Sequence, residues 1–250
     1  MGANMEGATL LSETLAQYSA LMVMEQEYGR DIMRRFLRYE MDSYLRSRGM
    51  EMLKERPLRR VEANQGYIHY RKGSVVMYQL KEVIGEERVN AALRTLTDRF
   101  AYQEPPYPTS MDLIDALREQ TPPEYHGLLE DLFDRIVLYS NRVVSAAMKP
   151  LSGDRWQVTL EVECRKFEAD EKGNESELPF AELLEVGAFA VPESGKEYGA
   201  VLARERMRVK SGLNTLVFET AGKPDTAGID PFLLLVDRVP GDNVRRVQAE

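Results

Sequence analysis

Trp156-Gln157-Val158-Thr159-Leu160-Glu161-Val162-Glu163-Cys164 alternates apolar and polar residues without a break. A period of two sends successive side chains to opposite faces, so this stretch predicts a half-buried β-strand. Its parity puts Cys164 with Val158, Leu160 and Val162 on the apolar face, as a buried structural thiol rather than a reactive one. The pattern continues on both sides: 143–149, 183–191, 201–209 and 215–220 also read as strands. Turn-rich segments at 170–176, 192–196, 210–214 and 222–225 separate them. Short strands at this spacing predict a small antiparallel β-sandwich.

Upstream the period changes. Leu10, Leu11, Leu15, Tyr18, Leu21, Met22 and Glu25 step by three and four, which is one face of a helix. Gly29 punctuates, and Met33, Phe36, Leu37, Met41, Tyr44 and Leu45 predict a second helix. A third fits 70–84 and stops at Gly85, since glycine favours the position after a helix end. A fourth covers 86–101. Pro105-Pro106-Tyr107-Pro108 cannot be helix interior. Thr109 and Asp112 then have capping-box spacing for a short helix to Glu119, and a last helix is expected over 125–136. Helices followed by strands give an α+β fold: a helical part at 1–138, a sandwich at 139–229 and a polar, extended or partly ordered tail at 230–250.

Composition limits the chemistry. The 250 residues carry 33 Lys+Arg against 41 Asp+Glu, a net charge of −8, which argues against a generic nucleic-acid binder. Cys164 is the single cysteine, so no intramolecular disulfide forms. No apolar run reaches the length of a membrane helix, and no basic stretch followed by an apolar core marks a signal peptide. H-E-x-x-H, C-x-x-C, G-x-S-x-G and the phosphate-loop pattern are absent; Lys72-Gly73-Ser74 has the wrong order for the last. His69 and His126 are the two histidines, and each reads as a helix-start residue, on the surface or hydrogen-bonded, rather than as a substitute metal ligand.

Two segments carry the remaining chemistry. Glu13 lies in Leu11-Ser12-Glu13-Thr14-Leu15-Ala16-Gln17-Tyr18; alone, it reads as a solvated helical carboxylate. Tyr70 lies in Tyr67-Ile68-His69-Tyr70-Arg71-Lys72-Gly73-Ser74; alone, that segment reads as the start of an amphipathic helix over packed aromatics. Together they resemble the second half of the catalytic domain of gluzincin-type zinc aminopeptidases, the aminopeptidase N and leukotriene hydrolase family. In that family a glutamate downstream of H-E-x-x-H is the third zinc ligand, in a helix reading like N-E-G-x-A, and a tyrosine in a Y-x-K-G segment stabilises the oxyanion. The resemblance therefore implies Glu13 as a zinc ligand and Tyr70 as the oxyanion tyrosine. Ser12 and Thr14 depart from the asparagine and glycine of that pattern.

Over nearly the whole chain the wording is closer to a bacterial subgroup in which a peptidase-like domain follows the membrane segments of an ABC-transporter permease-like protein. Leu10 to Tyr18, Tyr67 to Val76, Pro105 to Ser110, the β region, Ala227-Gly228-Ile229-Asp230-Pro231 and Asp242-Asn243-Val244 carry this likeness. It implies the second half of a thermolysin-like domain followed by a sandwich. It also implies zinc and a peptide substrate in an intact parent at the bacterial inner membrane, with membrane or transporter subunits as partners.

The stretch before Glu13 is too short to hold H-E-x-x-H, so the expectation is a soluble C-terminal fragment, inactive and zinc-free alone. Such a fragment is expected to self-associate through apolar faces left open at Leu10, Leu11, Leu21 and Met22. The alternative reading is a non-catalytic docking module of a transporter-associated protein. A third, weaker reading uses Arg30, Arg34, Arg35, Arg38, Arg46, Arg48, Arg56, Arg59 and Arg60 as a basic regulatory face. Interspersed acids make an ion-paired, solvated face the plainer account, and no nucleic-acid partner is expected.

Overall fold

A computed structural model describes residues 5–52 and 54–250. The fold is α+β, with helices first and two largely antiparallel sheets after them. Two compact units divide the chain. The first runs up to Val137 and adds Glu168–Ser176 and Leu234–Val236; the second holds Leu138–Phe167, Glu177–Leu233 and Asp237–Glu250.

The helical unit is built on α1 (Leu15–Tyr28), α2 (Met33–Met50), α3 (Gly73–Ile84), α4 (Glu86–Phe100), α5 (Ser110–Gln120) and the short α6 (His126–Leu129). Nearly every residue of α3 is buried, so it forms the centre of the unit. Leu10, Leu11, Tyr18, Ile68, Met77, Leu80, Val89, Leu113 and Phe133 pack into one core. Gly85, with φ at +94°, turns the chain between α3 and α4, and Glu86 and Glu87 sit in the first turn of α4, where the helix dipole favours acids. Thr109 and Asp112 form the capping box of α5, with the Thr109 N–H donating to Asp112 Oδ2 at 2.9 Å. Leu10, Leu11 and Leu21, expected as open apolar faces, are instead buried in this unit's own core. The helical period that exposed them to inspection also turned them inward.

The other unit's strands are β1 (Ile136–Pro150), β2 (Arg155–Ala169), β3 (Glu175–Leu178), β4 (Ala181–Phe189), β5 (Val201–Lys210), β6 (Gly212–Ala221), β7 (Thr226–Ile229), β8 (Val244–Arg246) and β9 (Gln248–Ala249), a few of whose end residues belong to the helical unit. One sheet has the order β3-β2-β1-β9, with β6 also paired to β2; the other has the order β5-β4-β7-β8. Val158, Leu160, Val162 and Cys164 are fully buried, as their alternation predicts, and Val158 faces Phe218 across the β2–β6 ladder.

Two boundaries move. The helix expected to reach 136 ends at Asp134, and β1 begins at Ile136. Ile136, Val137, Leu138 and Tyr139 are all buried, so this start of the strand has no alternation to read. Residues 230–250, expected as a polar tail, are folded: Phe232, Leu233, Leu234, Leu235 and Val236 are buried, and β8 and β9 extend the sheets. Five apolar residues in a row show no period, and their flanking charges disguised them.

Asp237 fixes the end of this segment. It is fully buried; its Oδ2 accepts the Asn141 N–H and its Oδ1 accepts the Val239 N–H, both at 2.9 Å. Burial pushes its carboxyl up to about 6, against the pull of those N–H donors. A carboxyl raised on folding contributes stability that is complete below its unfolded value and lost as pH rises through the folded one. The stability advantage of the native chain over Asp237→Asn, measured by urea denaturation, should therefore shrink by about 1–3 kcal/mol between pH 4 and 7. An advantage that grows over this range would show that the N–H donors outweigh burial.

Candidate functional site

Glu13 and Tyr70 sit in two π-helical turns, Leu10–Thr14 before α1 and Tyr67–Lys72 before α3. Such widened turns are rare and recur at functional positions, because they shift side chains off the regular helical register. The two turns meet in the core at a close contact. Thr14 is fully buried, and its Oγ1 donates to the His69 carbonyl at 2.5 Å. Gly73 leaves room for it: a Cβ there would lie 2.5 Å from Thr14 Oγ1 and 2.7 Å from its Cγ2.

This contact sets the neighbours in place. Tyr70 Oη donates a hydrogen bond to Glu13 Oε2, and Ser12 Oγ donates to Glu13 Oε1 at 3.3 Å. The Glu13 carboxylate holds the Tyr70 phenol above its ordinary value, chiefly through that hydrogen bond. The pair is open to solvent, with Tyr70 37% exposed.

The residues after Tyr70 point in separate directions. Arg71 Nη1 donates to Glu40 at 2.9 and 3.2 Å, and Gln17 Nε2 donates to Glu40 Oε1 at 2.9 Å. Glu40 is buried on α2, so one carboxylate ties the Tyr70 turn to both α1 and α2. Lys72 turns into the core, its ammonium 5.6 Å from the centre of the Tyr44 ring. Burial lowers its pKa, opposed by the Glu55 charge. Glu55 in turn accepts from Tyr44 Oη at 2.5 Å and from Arg48 Nε at 2.7 Å.

His69 is buried, with its ring 4.5 Å from that of Tyr70. Burial lowers its pKa, against the Ala63 carbonyl and the Glu13 charge. His126 lies elsewhere, its Nε2 3.0 Å from the Thr121 carbonyl at the entry to α6. Cys164 is in the β unit, and burial pushes its thiol up to about 12. Several arginines of the basic stretch are committed to acids within the helical unit: Arg30 to Glu82, Arg48 to Glu55, Arg56 to Glu62 and Glu171, and Arg59 to Asp134 and Glu6.

The sequence pairs Glu13 with Tyr70 through resemblance alone; the structure brings them into hydrogen-bond contact. Glu40, Arg71 and Gln17 escaped notice. A signal was present for Glu40: it falls three residues after Leu37 and four before Tyr44, on the buried stripe of α2.

Zinc needs three protein ligands and one open position. Glu13 brings one carboxylate with a phenol beside it, and no group of three His, Cys, Asp or Glu side chains gathers among the described residues. This donor set does not make a zinc site unaided. Comparison with family models and with curated proteins finds no match for the chain.

Two outcomes test the geometry. Gly73→Ala forces its methyl into Thr14 and should cost about 1–3 kcal/mol in urea denaturation. Gly49→Ala, near the end of α2 with open space around it, should instead gain up to about 1 kcal/mol. Equal effects would show that the Thr14 contact is not tight. Separately, Glu13→Gln should bring the Tyr70 phenol down towards its ordinary value in a titration followed by tyrosine-labelled NMR. The Tyr70 signal is the one lost in Tyr70→Phe. An unmoved titration would show that Glu13 is not its acceptor in solution.

Proposed function

We propose that Glu13 and Tyr70 are half of a peptide-hydrolysing zinc site of the gluzincin aminopeptidase type. The other half belongs to an H-E-x-x-H segment in a longer protein, which supplies the remaining ligands and the general base. The observation that supports this reading is the Tyr70–Glu13 hydrogen bond, made between two π-helical turns whose spacing is set by Thr14 and Gly73.

The chain's own residues divide the work. Glu13 presents a carboxylate fixed by the turn that carries it, as one ligand. Tyr70, whose phenol is held above its ordinary value, is a hydrogen-bond donor beside the proposed ligand, its hydroxyl now donating to Glu13. A donor placed there stabilises an oxyanion that develops on a peptide carbonyl, and such donors are worth about 10²–10³ in rate. Glu40, through Arg71 and Gln17, ties the Tyr70 turn to α1 and α2 and is a positioning residue. The resembled subgroup places this unit after membrane segments, so the proposal puts the site beside a bacterial membrane. No helix among the described residues is long and apolar enough to cross one.

The test uses the longer protein that contains this chain, assayed for zinc content and for release of N-terminal amino acids from peptides. Glu13→Gln should lose most of the zinc. Tyr70→Phe should keep the zinc and lower kcat by about 10²–10³ with KM little changed. The chain alone should bind no zinc and hydrolyse nothing. Retained zinc in Glu13→Gln, or unchanged kcat in Tyr70→Phe, would sink the assignment.

A further inference from the structure

Strand β5 carries a ladder of cations that the Glu13–Tyr70 site does not use. Arg204, Arg206, Arg208 and Lys210 recur at every second residue, so all four lie on one face of the sheet. Their cross-strand partners on β4 are Gly187, Glu185, Leu183 and Ala181, in that order. Glu185 is the one acid among those partners. It accepts from Arg204 Nε at 2.8 Å and lies 3.6 Å from Arg206 Nε. The Arg204 guanidinium also stacks 4.0 Å above Phe232. Arg208 faces Leu183 and Lys210 faces Ala181, and both cations are exposed with no ion pair among the described residues.

β5 is also the terminal strand of its sheet, paired to β4 on one side. A terminal strand offers main-chain N–H and C=O groups to another strand, and edge cations normally discourage indiscriminate pairing. The same cations leave one class of strand that gains from pairing: one with carboxylates at the same two-residue repeat, about 6.8 Å apart. A chain of net charge −8 that concentrates this ladder on one edge favours an acidic partner locally while repelling acids elsewhere.

We propose that β5 is a docking edge for an extended acidic peptide segment with Asp or Glu at alternate positions, added to the sheet as a further strand. The Asn214 side chain already holds the outward N–H and C=O of Lys210. Main-chain hydrogen bonds to the part of β5 before Lys210 therefore supply the register, and Arg206, Arg208 and Lys210 read the carboxylates with their side chains. A nucleic-acid strand fits less well, because no exposed aromatic stands among the four cations or opposite them to stack a base.

The test measures fluorescence anisotropy of two labelled peptides with the intact chain. One alternates Glu and Thr; the other has the same composition with all Glu residues adjacent. The alternating peptide should bind at least about tenfold more tightly, and its binding should weaken steeply with salt. Arg208→Glu combined with Lys210→Glu should remove that binding; Arg208→Gln with Lys210→Gln should weaken it in the same direction without adding repulsion. Hydrogen exchange should show amides of 201–209 becoming protected when the alternating peptide is present. Equal affinity for the two peptides, no binding, binding without protection of β5, or tighter binding of a single-stranded oligonucleotide would each overturn the proposal.

Discussion

The contact between Thr14 and Gly73 is the constraint from which the helical unit's site follows. It joins the start of α1 to the start of α3, the unit's most buried helix, through a hydroxyl that donates to the His69 carbonyl. A side chain at position 73 would push the two turns apart by more than the space between them allows. Everything near it inherits its spacing. Glu13 precedes Thr14 and Tyr70 follows His69 by one residue each, so the hydrogen bond between them is a consequence of a contact made one step deeper. The widened turns have a role in this: each shifts its polar residue outward while its neighbour remains in the core.

Buried charge supports the same arrangement from behind. Glu40 holds Arg71 and Gln17, Glu55 holds Tyr44 and Arg48, and Glu82 holds Lys81 and Arg30. Burial would raise the Glu82 carboxyl, but hydrogen bonds and charge from Arg30 and Lys81 outweigh it and hold it down at about 2. Buried pairs of this kind add little net stability, since desolvation offsets most of the attraction. Their effect is on register: a slip of α1, α2 or α3 by one position would leave a carboxylate in the core without its cation. Alignment, more than affinity, is what these acids contribute.

Legibility in the sequence follows the physics of each element. The alternation at Trp156–Cys164, the capping box at Thr109 and the glycine stop at Gly85 are local signals, and the structure shows all three. The start of β1 and the run Phe232–Val236 lack a period because they are buried all round, so the sequence holds no local mark of their direction. β3, β7, β8 and β9 are four residues or shorter, and pairing rather than pattern makes them strands. Glu13 and Tyr70 were visible only through resemblance, since an exposed carboxylate and an exposed tyrosine are common on helices. The residue that locates them, Gly73, looked like part of a motif. Its physical reason, the missing Cβ against Thr14, needs a residue far away in the chain.

The Glu13–Tyr70 hydrogen bond itself does little to hold the fold. Both groups meet solvent, and an exposed hydrogen bond trades closely against bonds to water. Their positions are held by contacts beneath them: the buried Thr14 and the His69 carbonyl on one side, the buried Glu40 and the half-buried Arg71 on the other. This division separates placement from occupancy. The scaffold stays assembled if Tyr70 donates to a different acceptor or Glu13 gives its lone pairs to a different centre, because neither change touches a buried contact. A pair built so can exchange partners at small cost, which is the property a half-site needs if its remaining groups come from another segment. The buried acid, the closely packed glycine and the two widened turns beneath the pair fix its place, whatever partner each of its two groups takes.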